Sequence, residues 1–225
     1  VEEVDEITRA ADAADRVVSE AFMYRHHERT LRVQELVNDG TIGELQVIKG
    51  AFRFDLDRPN DIRWEPDCGG GSLWDVGCYP LSFARTLVDL EPEEVFGFQR
   101  TGDTGVDVTF TGQLRFPDDT LAQIDSSFRA PERMHMEIVG SRGTIQVPRA
   151  YKPRTTSTIL LESHETEESI KVEGGELYRG EVEDMADVVL QGALPRISLT
   201  DSRGNVAALT ALYDSTRSGR SVVPD

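Results

Sequence analysis

Lysine is nearly missing from this sequence. Lys49, Lys152 and Lys171 stand among 24 basic residues, and 41 acidic residues leave a formal net charge of −17. A surface so short of positive charge repels phosphate backbones and anionic headgroups, which argues against nucleic acid and membrane partners. Cysteine is scarce as well: Cys68 and Cys78 lie ten positions apart with no CxxC spacing, the pattern of two reduced thiols. Together with His26 and His27 they match no usual zinc spacing, so no metal is expected. The longest apolar runs, "ADVVL" and "NVAALTALY", are too short to cross a bilayer, and the N-terminus lacks a signal-peptide layout. A soluble, cytoplasmic protein is the expectation. Internal repeats and low-complexity linkers are absent, and no glycine-rich phosphate loop follows a strand.

What is present suffices for a core. The 225 residues are 38% hydrophobic and 29% charged, enough for one large domain or two small ones. Acid-rich, lysine-poor surfaces suit concentrated salt, where self-repulsion is screened, so a halophilic protein is one reading. An acidic mesophile with arginine-rich coding bias is the other, and composition leaves both open.

Periodicity organises the chain. "VEEVDEITRAADAADRVV" places Val4, Ile7, Ala11 and Ala14 at helical spacing, and "VVSEAFMYR" (17–25) reads as a short buried strand. "TLRVQELVNDGTIGEL" predicts a helix with Thr30 as its N-cap and Gly40 as its stop; His26 and His27 then lie in the loop after the strand. From Glu44 the period changes to two, as in Phe52, Phe54 and Leu56. Val106, Val108, Phe110, Leu114 and Phe116 alternate with Asp107, Thr109, Thr111, Gln113 and Arg115. "PDDT" turns the chain into "LAQIDSSFRA", with Ile124 and Phe128 inward. "RMHMEIVG" with "TIQVP", and "STILLES" with "ESIKVEG", form further hairpins. Residues 73–88, 176–192 and 198–219 supply helices to cover the apolar face. The fold class expected is α+β: a large, open-faced, mostly antiparallel sheet with helices on one face. Its other face is either an interface or wet surface.

The stretch "GGGSLWDVGCYP" (69–80) carries two readings. Ser72 and Asp75 fit a capping box, with Tyr79 as packing and Pro80 bending the helix. Alternatively, Asp75 and Tyr79 stack one turn apart, so that a carboxylate and a phenol address one small volume. A phenol can act as general acid/base at a sugar or alcohol hydroxyl if a cation lowers its pKa. The triple glycine lets the backbone approach a ligand or a neighbouring strand. Spacing does not choose between them.

This stretch resembles the motif of the Gfo/Idh/MocA oxidoreductases, in the branch of glucose-fructose oxidoreductase, aldose dehydrogenases and trans-dihydrodiol dehydrogenase. "EAFMYRHHERTLRVQELVNDGTIGELQVIKGAF", "FRFDLDRPNDIRWEPD", "IVGSRGTIQV" and "PRISLTDSRGNVAALTALYDSTRSGRSV" extend the resemblance over nearly the whole chain. It implies hydride transfer between NAD or NADP and a sugar or polyol. Asp75 corresponds to the motif aspartate and Tyr79 to the branch's acid/base. Tyr24 and Arg25 fall in the segment near the substrate, and Arg63 and Trp64 line the pocket. It also implies that residues 1–28 are the tail of a Rossmann nucleotide-binding domain, and 29–225 a substrate-binding and oligomerisation domain. On this resemblance the cofactor glycines, and a lysine assisting Tyr79, are expected upstream of Val1, so the chain by itself is expected to be inactive. A homo-oligomer formed through the open sheet face is implied too. A non-catalytic sugar-binding or dimerisation module is the alternative.

Overall fold

The computed structural model describes residues 1–163 and 166–225. Eight strands form one sheet: β1 (Leu45–Asp55), β2 (Glu94–Thr101), β3 (Asp107–Arg115), β4 (Leu121–Ser127), β5 (Arg129–Gly140), β6 (Gly143–Pro148), β7 (Thr156–Ser163) and β8 (Glu167–Glu173). Their spatial order is β2-β3-β4-β1-β5-β6-β7-β8. Every pairing is antiparallel except β1 with β4, which run parallel from Val47 opposite Leu121 to Arg53 opposite Ser127. The sheet is therefore not a simple meander. β4 and β5 adjoin in sequence, yet β1 lies between them, and the chain turns around the end of β1 at Phe128. The Phe128 carbonyl accepts from Leu56 and its N–H donates to Val108.

Helices α3 (Cys78–Val88) and α5 (Leu199–Ser218) lie on one face. Leu73, Leu81, Phe83, Ala208 and Leu212 meet Ile48, Phe110, Ile124, Met136 and Ile138 in a core from which water is excluded. Each fully buried side chain of this size contributes about 1.5–3 kcal/mol. Glycines set the helix-to-sheet distance. A Cβ at Gly50 of β1 would lie 2.5 Å from the Pro80 side chain, and one at Gly77 would lie 3.0 Å from Ser126 Oγ of β4, so there is no room for a side chain where helix and turn seat on the strands.

Helix α2 (Glu28–Asn38) buries Val33, Leu36 and Val37. Its cap is His27, whose Nδ1 accepts from the Arg29 N–H, while Thr30 is buried within the first turn. The imidazole occupies the capping geometry three residues earlier than the expected threonine. Gly40, at φ 69°, ends the helix region as anticipated. Helix α1 (Glu2–Ala14) packs on α5, with Asp5 and Arg203 paired at 2.8 Å.

Three further expectations fail. Residues 17–25 form no strand; Val17 and Val18 are exposed and Met23–His26 is a 3-10 turn. A strand exists only by pairing, and no described strand runs beside it. Helix α4 (Arg179–Gln191) buries only Val188 and leans on the Met23–His26 turn, not on the sheet. The third concerns Asp107. It is buried, because the β2–β3 pairing slips by one residue between Arg100 and Thr101, and this bulge re-aims its carboxylate toward the helices.

Candidate active site

The approach to α3 is built from short turns. Asp61 caps the turn Ile62–Trp64 by accepting the Arg63 N–H at 3.1 Å, and Pro66–Cys68 makes a second. Gly69 (φ 69°) and Gly71 (φ 117°) adopt backbone angles that side chains strain to reach. Gly70 and Gly71 donate to the carbonyls of Glu65 and Arg63, each at 3.0 Å, which folds the loop onto itself. Leu73–Gly77 then forms a π-helical turn that passes directly into α3. Pro80 is the third residue of α3, where its missing N–H removes a bond at the junction. The Cys78 thiol instead reaches the Asp75 carbonyl at 3.6 Å.

The capping box does not form. Ser72 has helical backbone angles and makes no cap; its hydroxyl donates to Asp107 Oδ2 at 2.7 Å. Asp75 is free of capping duty and receives Arg63 Nε at 2.8 Å, while Arg63 Nη1 reaches Asp61 at 3.0 Å. The bond to Asp75 raises the Arg63 pKa further, so this guanidinium is a fixed positive charge beside a half-exposed carboxylate.

Tyr79 lies one turn on, in an aromatic cluster. Its ring centroid is 5.2 Å from Phe22, 5.3 Å from Phe52, and 5.7 Å from both Tyr24 and Tyr151. Tyr24 is fully buried and donates its hydroxyl to the Tyr79 carbonyl at 3.2 Å, which holds the residue from behind. The Tyr79 hydroxyl makes no hydrogen bond among the described residues. Burial, and then the nearby Cys78, Asp75, Tyr178 and Glu181, push its pKa up. As it stands, this phenol is a proton donor.

The six expected site residues are thus brought together unequally. Asp75 and Arg63 are bonded, and Tyr24 backs Tyr79. Arg25 is buried in an ion pair with Asp201 at the start of α5. Trp64 is buried, with its indole N–H on the Arg58 carbonyl at 2.7 Å and its ring against Phe128 and Arg129. Sequence reasoning missed Phe22, Phe52 and Tyr151 as the wall of the cluster, and Glu181, which has a buried carboxylate oxygen without a hydrogen-bond partner among the described residues. Aromatic residues so far apart along the chain carry no local signal of meeting.

The described residues form no dinucleotide cradle. The triple glycine follows a 3-10 turn rather than a strand, and a Cβ at Gly71 would lie 2.2 Å from Asp107 Oδ1. A carboxylate so placed repels a pyrophosphate. No group of acids, histidines and cysteines suited to a metal occurs among the described residues.

Comparison with known proteins bears on the family and the fold. A family model described as the GFO/IDH/MocA C-terminal domain matches residues 30–146. The chain is 34% identical over 211 residues to D-xylose 1-dehydrogenase (NADP(+)) 2 of Haloferax volcanii, covering 92% of this chain and 64% of that protein. It is 30% identical to an uncharacterized oxidoreductase, ORF334, of Rhizobium meliloti, covering 96% and 68% respectively. The chain therefore spans about two thirds of the length of these relatives. Among solved structures, aldose-aldose oxidoreductase from Caulobacter crescentus, complexed with glycerol, superposes with a TM-score of 0.90 at 22% identity, over 99% of this chain and 68% of that one.

Proposed function

The chain belongs to the GFO/IDH/MocA C-terminal domain family, and on that premise we propose that it is the substrate-handling part of an NAD(P)-dependent oxidoreductase acting on a sugar or polyol. The observation that carries this reading is Tyr79: a half-buried phenol with an unengaged hydroxyl, one turn from the Asp75–Arg63 pair. The names of the Haloferax relative and of a Danio rerio trans-1,2-dihydrobenzene-1,2-diol dehydrogenase, 29% identical over 150 residues, support the substrate class.

In the proposed reaction NAD or NADP, for which the described residues form no cradle, would supply the hydride chemistry from elsewhere in the full-length protein. The chain's own residues handle the oxygen. Tyr79 donates a proton to a carbonyl oxygen as it becomes a hydroxyl, and takes one back in the reverse direction. Burial favours the donor state, so the reverse direction needs a cation brought near the phenol. Asp75, held by Arg63, accepts a neighbouring substrate hydroxyl and fixes which carbon faces the cofactor. Tyr24, Arg25 and Trp64 contribute as the wall behind these groups.

The wider organisation follows the same reading. Residues 1–28 are the tail of a nucleotide-binding domain, and residues 29–225 bind substrate and join copies of the protein. The bare sheet face, with Phe96, Phe98 and Leu121 among Gln113, Gln123 and Thr111, is the surface for that association. Two free thiols suit a reducing cytoplasm, and the acid excess suits high salt. The test is absorbance of reduced nicotinamide when the full-length protein meets a panel of aldoses, polyols and dihydrodiols with NAD or NADP. Turnover of at least one supports the proposal, whereas binding without turnover across the panel favours the non-catalytic module.

A further inference from the structure

Asp107 is a buried carboxylate without a cation. It is 2% exposed, and among the described residues the groups acting on it are Tyr213, Ser72 and backbone amides, with no arginine or lysine. Burying a charge in this way is costly unless its oxygens are well satisfied, and a neutral residue would pack as easily. The compensation comes from three donors. Oδ2 accepts the Ser72 hydroxyl at 2.7 Å and the Leu73 N–H at 2.9 Å, and Oδ1 accepts the Tyr213 hydroxyl at 2.6 Å. Ser72, its one proton committed to Asp107, takes a hydrogen bond from Ser126 of β4 at 3.0 Å.

These bonds converge on one place. Leu73 opens the π-helical turn that carries Asp75 and leads to Tyr79. The first amide of that turn is therefore satisfied from a strand 34 residues away and not by its own Ser72. Gly71, at φ 117°, permits the approach, since a Cβ there would lie 2.2 Å from Oδ1. The glycine serves the carboxylate.

We infer that Asp107 is a positioning residue of the proposed active site, clamping the start of the Leu73–Gly77 turn to β3, β4 and α5 and so fixing where Asp75 and Tyr79 stand. The inference rests on the functional reading above. A group that touches no substrate but sets the reach of groups that do should act on turnover more than on substrate affinity.

The experiment uses the full-length enzyme with its cofactor and the best substrate of the panel. Asp107→Ala is expected to lower kcat about tenfold to a hundredfold with KM within about twofold of wild type. Asp107→Asn, whose amide oxygen still accepts from Ser72 and Leu73, is expected to restore most of the loss. Unchanged kcat in folded Asp107→Ala, or equal losses in the Ala and Asn variants, overturns the inference. If Asp107→Ala does not fold, Ser72→Ala removes only the hydroxyl clamp. It should then cost about threefold to tenfold in kcat, and full activity overturns the proposal. Tyr79→Phe is measured in parallel. Full activity there means that the functional reading has failed, and the clamp is then judged on the Leu73 amide alone. Its hydrogen exchange should speed up about tenfold or more in Asp107→Ala, and unchanged exchange again overturns the inference.

Discussion

The two faces of the sheet are made by the same strands, read at alternate residues, yet they are different surfaces. On the covered face, Ile48, Phe52, Phe110, Ile124, Met136 and Ile138 are buried under α3, α5 and the π-helical turn. On the bare face, Lys49 pairs with Glu137, Arg53 with Asp125, and Phe98 stands 68% exposed among glutamines and threonines. The proposed chemistry belongs to the covered face and the proposed assembly to the bare one. A packed side can hold a phenol to within a fraction of an ångström, because every neighbour is fixed by another. A bare side can be changed without disturbing the packing beneath it.

The largest effect should come from the covered face. Tyr79→Phe keeps the ring in its cluster of Phe22, Tyr24, Phe52 and Tyr151 and deletes only the proton. In the full-length enzyme turnover should fall about a hundredfold or more, the scale of a lost general acid/base, with little change in Tm. The pH dependence sharpens the point. Because burial pushes the phenol up, wild-type substrate oxidation should accelerate with rising pH as the phenolate forms, and reduction should slow only at alkaline pH. Near-normal turnover in Tyr79→Phe would reduce the aromatic cluster to packing.

On the bare face the expected change is in mass. Phe98→Glu with Leu121→Glu places two further charges on a surface already rich in acids. Sedimentation should show the full-length protein shifting to monomer, with the Tm measured on the monomer unchanged. An oligomer that survives both substitutions would move the interface elsewhere. Smaller again is the cost of crowding the helix seat. Gly50→Ala puts a Cβ 2.5 Å from Pro80 and 2.6 Å from Met136 Sδ, which should lower stability by about 1–3 kcal/mol. Thr111→Val, exposed on the opposite face, should stay within about 0.5 kcal/mol. Equal losses at the two sites would erase the distinction drawn between the faces.

Much of this is legible in the sequence, for reasons that differ by element. The period-two runs at 106–116 and 121–128 predict both the strands and the inward residues, since burial enforces alternation. Helix α5 is legible from its cap at Ser198 and its stop at Gly219. The place of β1 between β4 and β5 is not, because nothing local encodes which strands become neighbours. Strand β2 is also hidden, although "VFGF" alternates, because Gly97 lacks a side chain; α5 packs where one would be. At the site, the motif marks Asp75 and Tyr79, but the alternation that exposes β3's polar residues points Asp107 the wrong way. One extra β3 residue, Val108, opposite the Arg100–Thr101 step of β2 reverses it, and that slip depends on a partner strand. The capping box fails for a related reason, since a carboxylate from far along the chain takes Ser72.

The smallest prediction separates the faces by how they respond to pH and salt. Glu20, in the segment before the Met23–His26 turn, and Asp107, under the π-helical turn, are raised above ordinary carboxyl values, first of all by burial. In each case the folded state holds its proton more tightly than the unfolded chain does. The stabilisation is therefore fully present below the unfolded carboxyl pKa and is lost as pH rises through the folded one. The 41 acids against 24 bases add surface repulsion that grows over the same range. Tm should thus fall as pH is raised from about 4, where ordinary carboxyl groups lose their protons, and on through the higher range of the two raised groups. Molar KCl should raise Tm and remove the surface part, because exposed charges are screened within about 3 Å at that strength, whereas these two desolvated carboxyl groups are screened much less. Glu20→Gln should flatten the slope that remains in salt. If molar KCl abolishes the slope altogether, or if Glu20→Gln leaves it intact, the pH response comes from surface charge and not from the buried side.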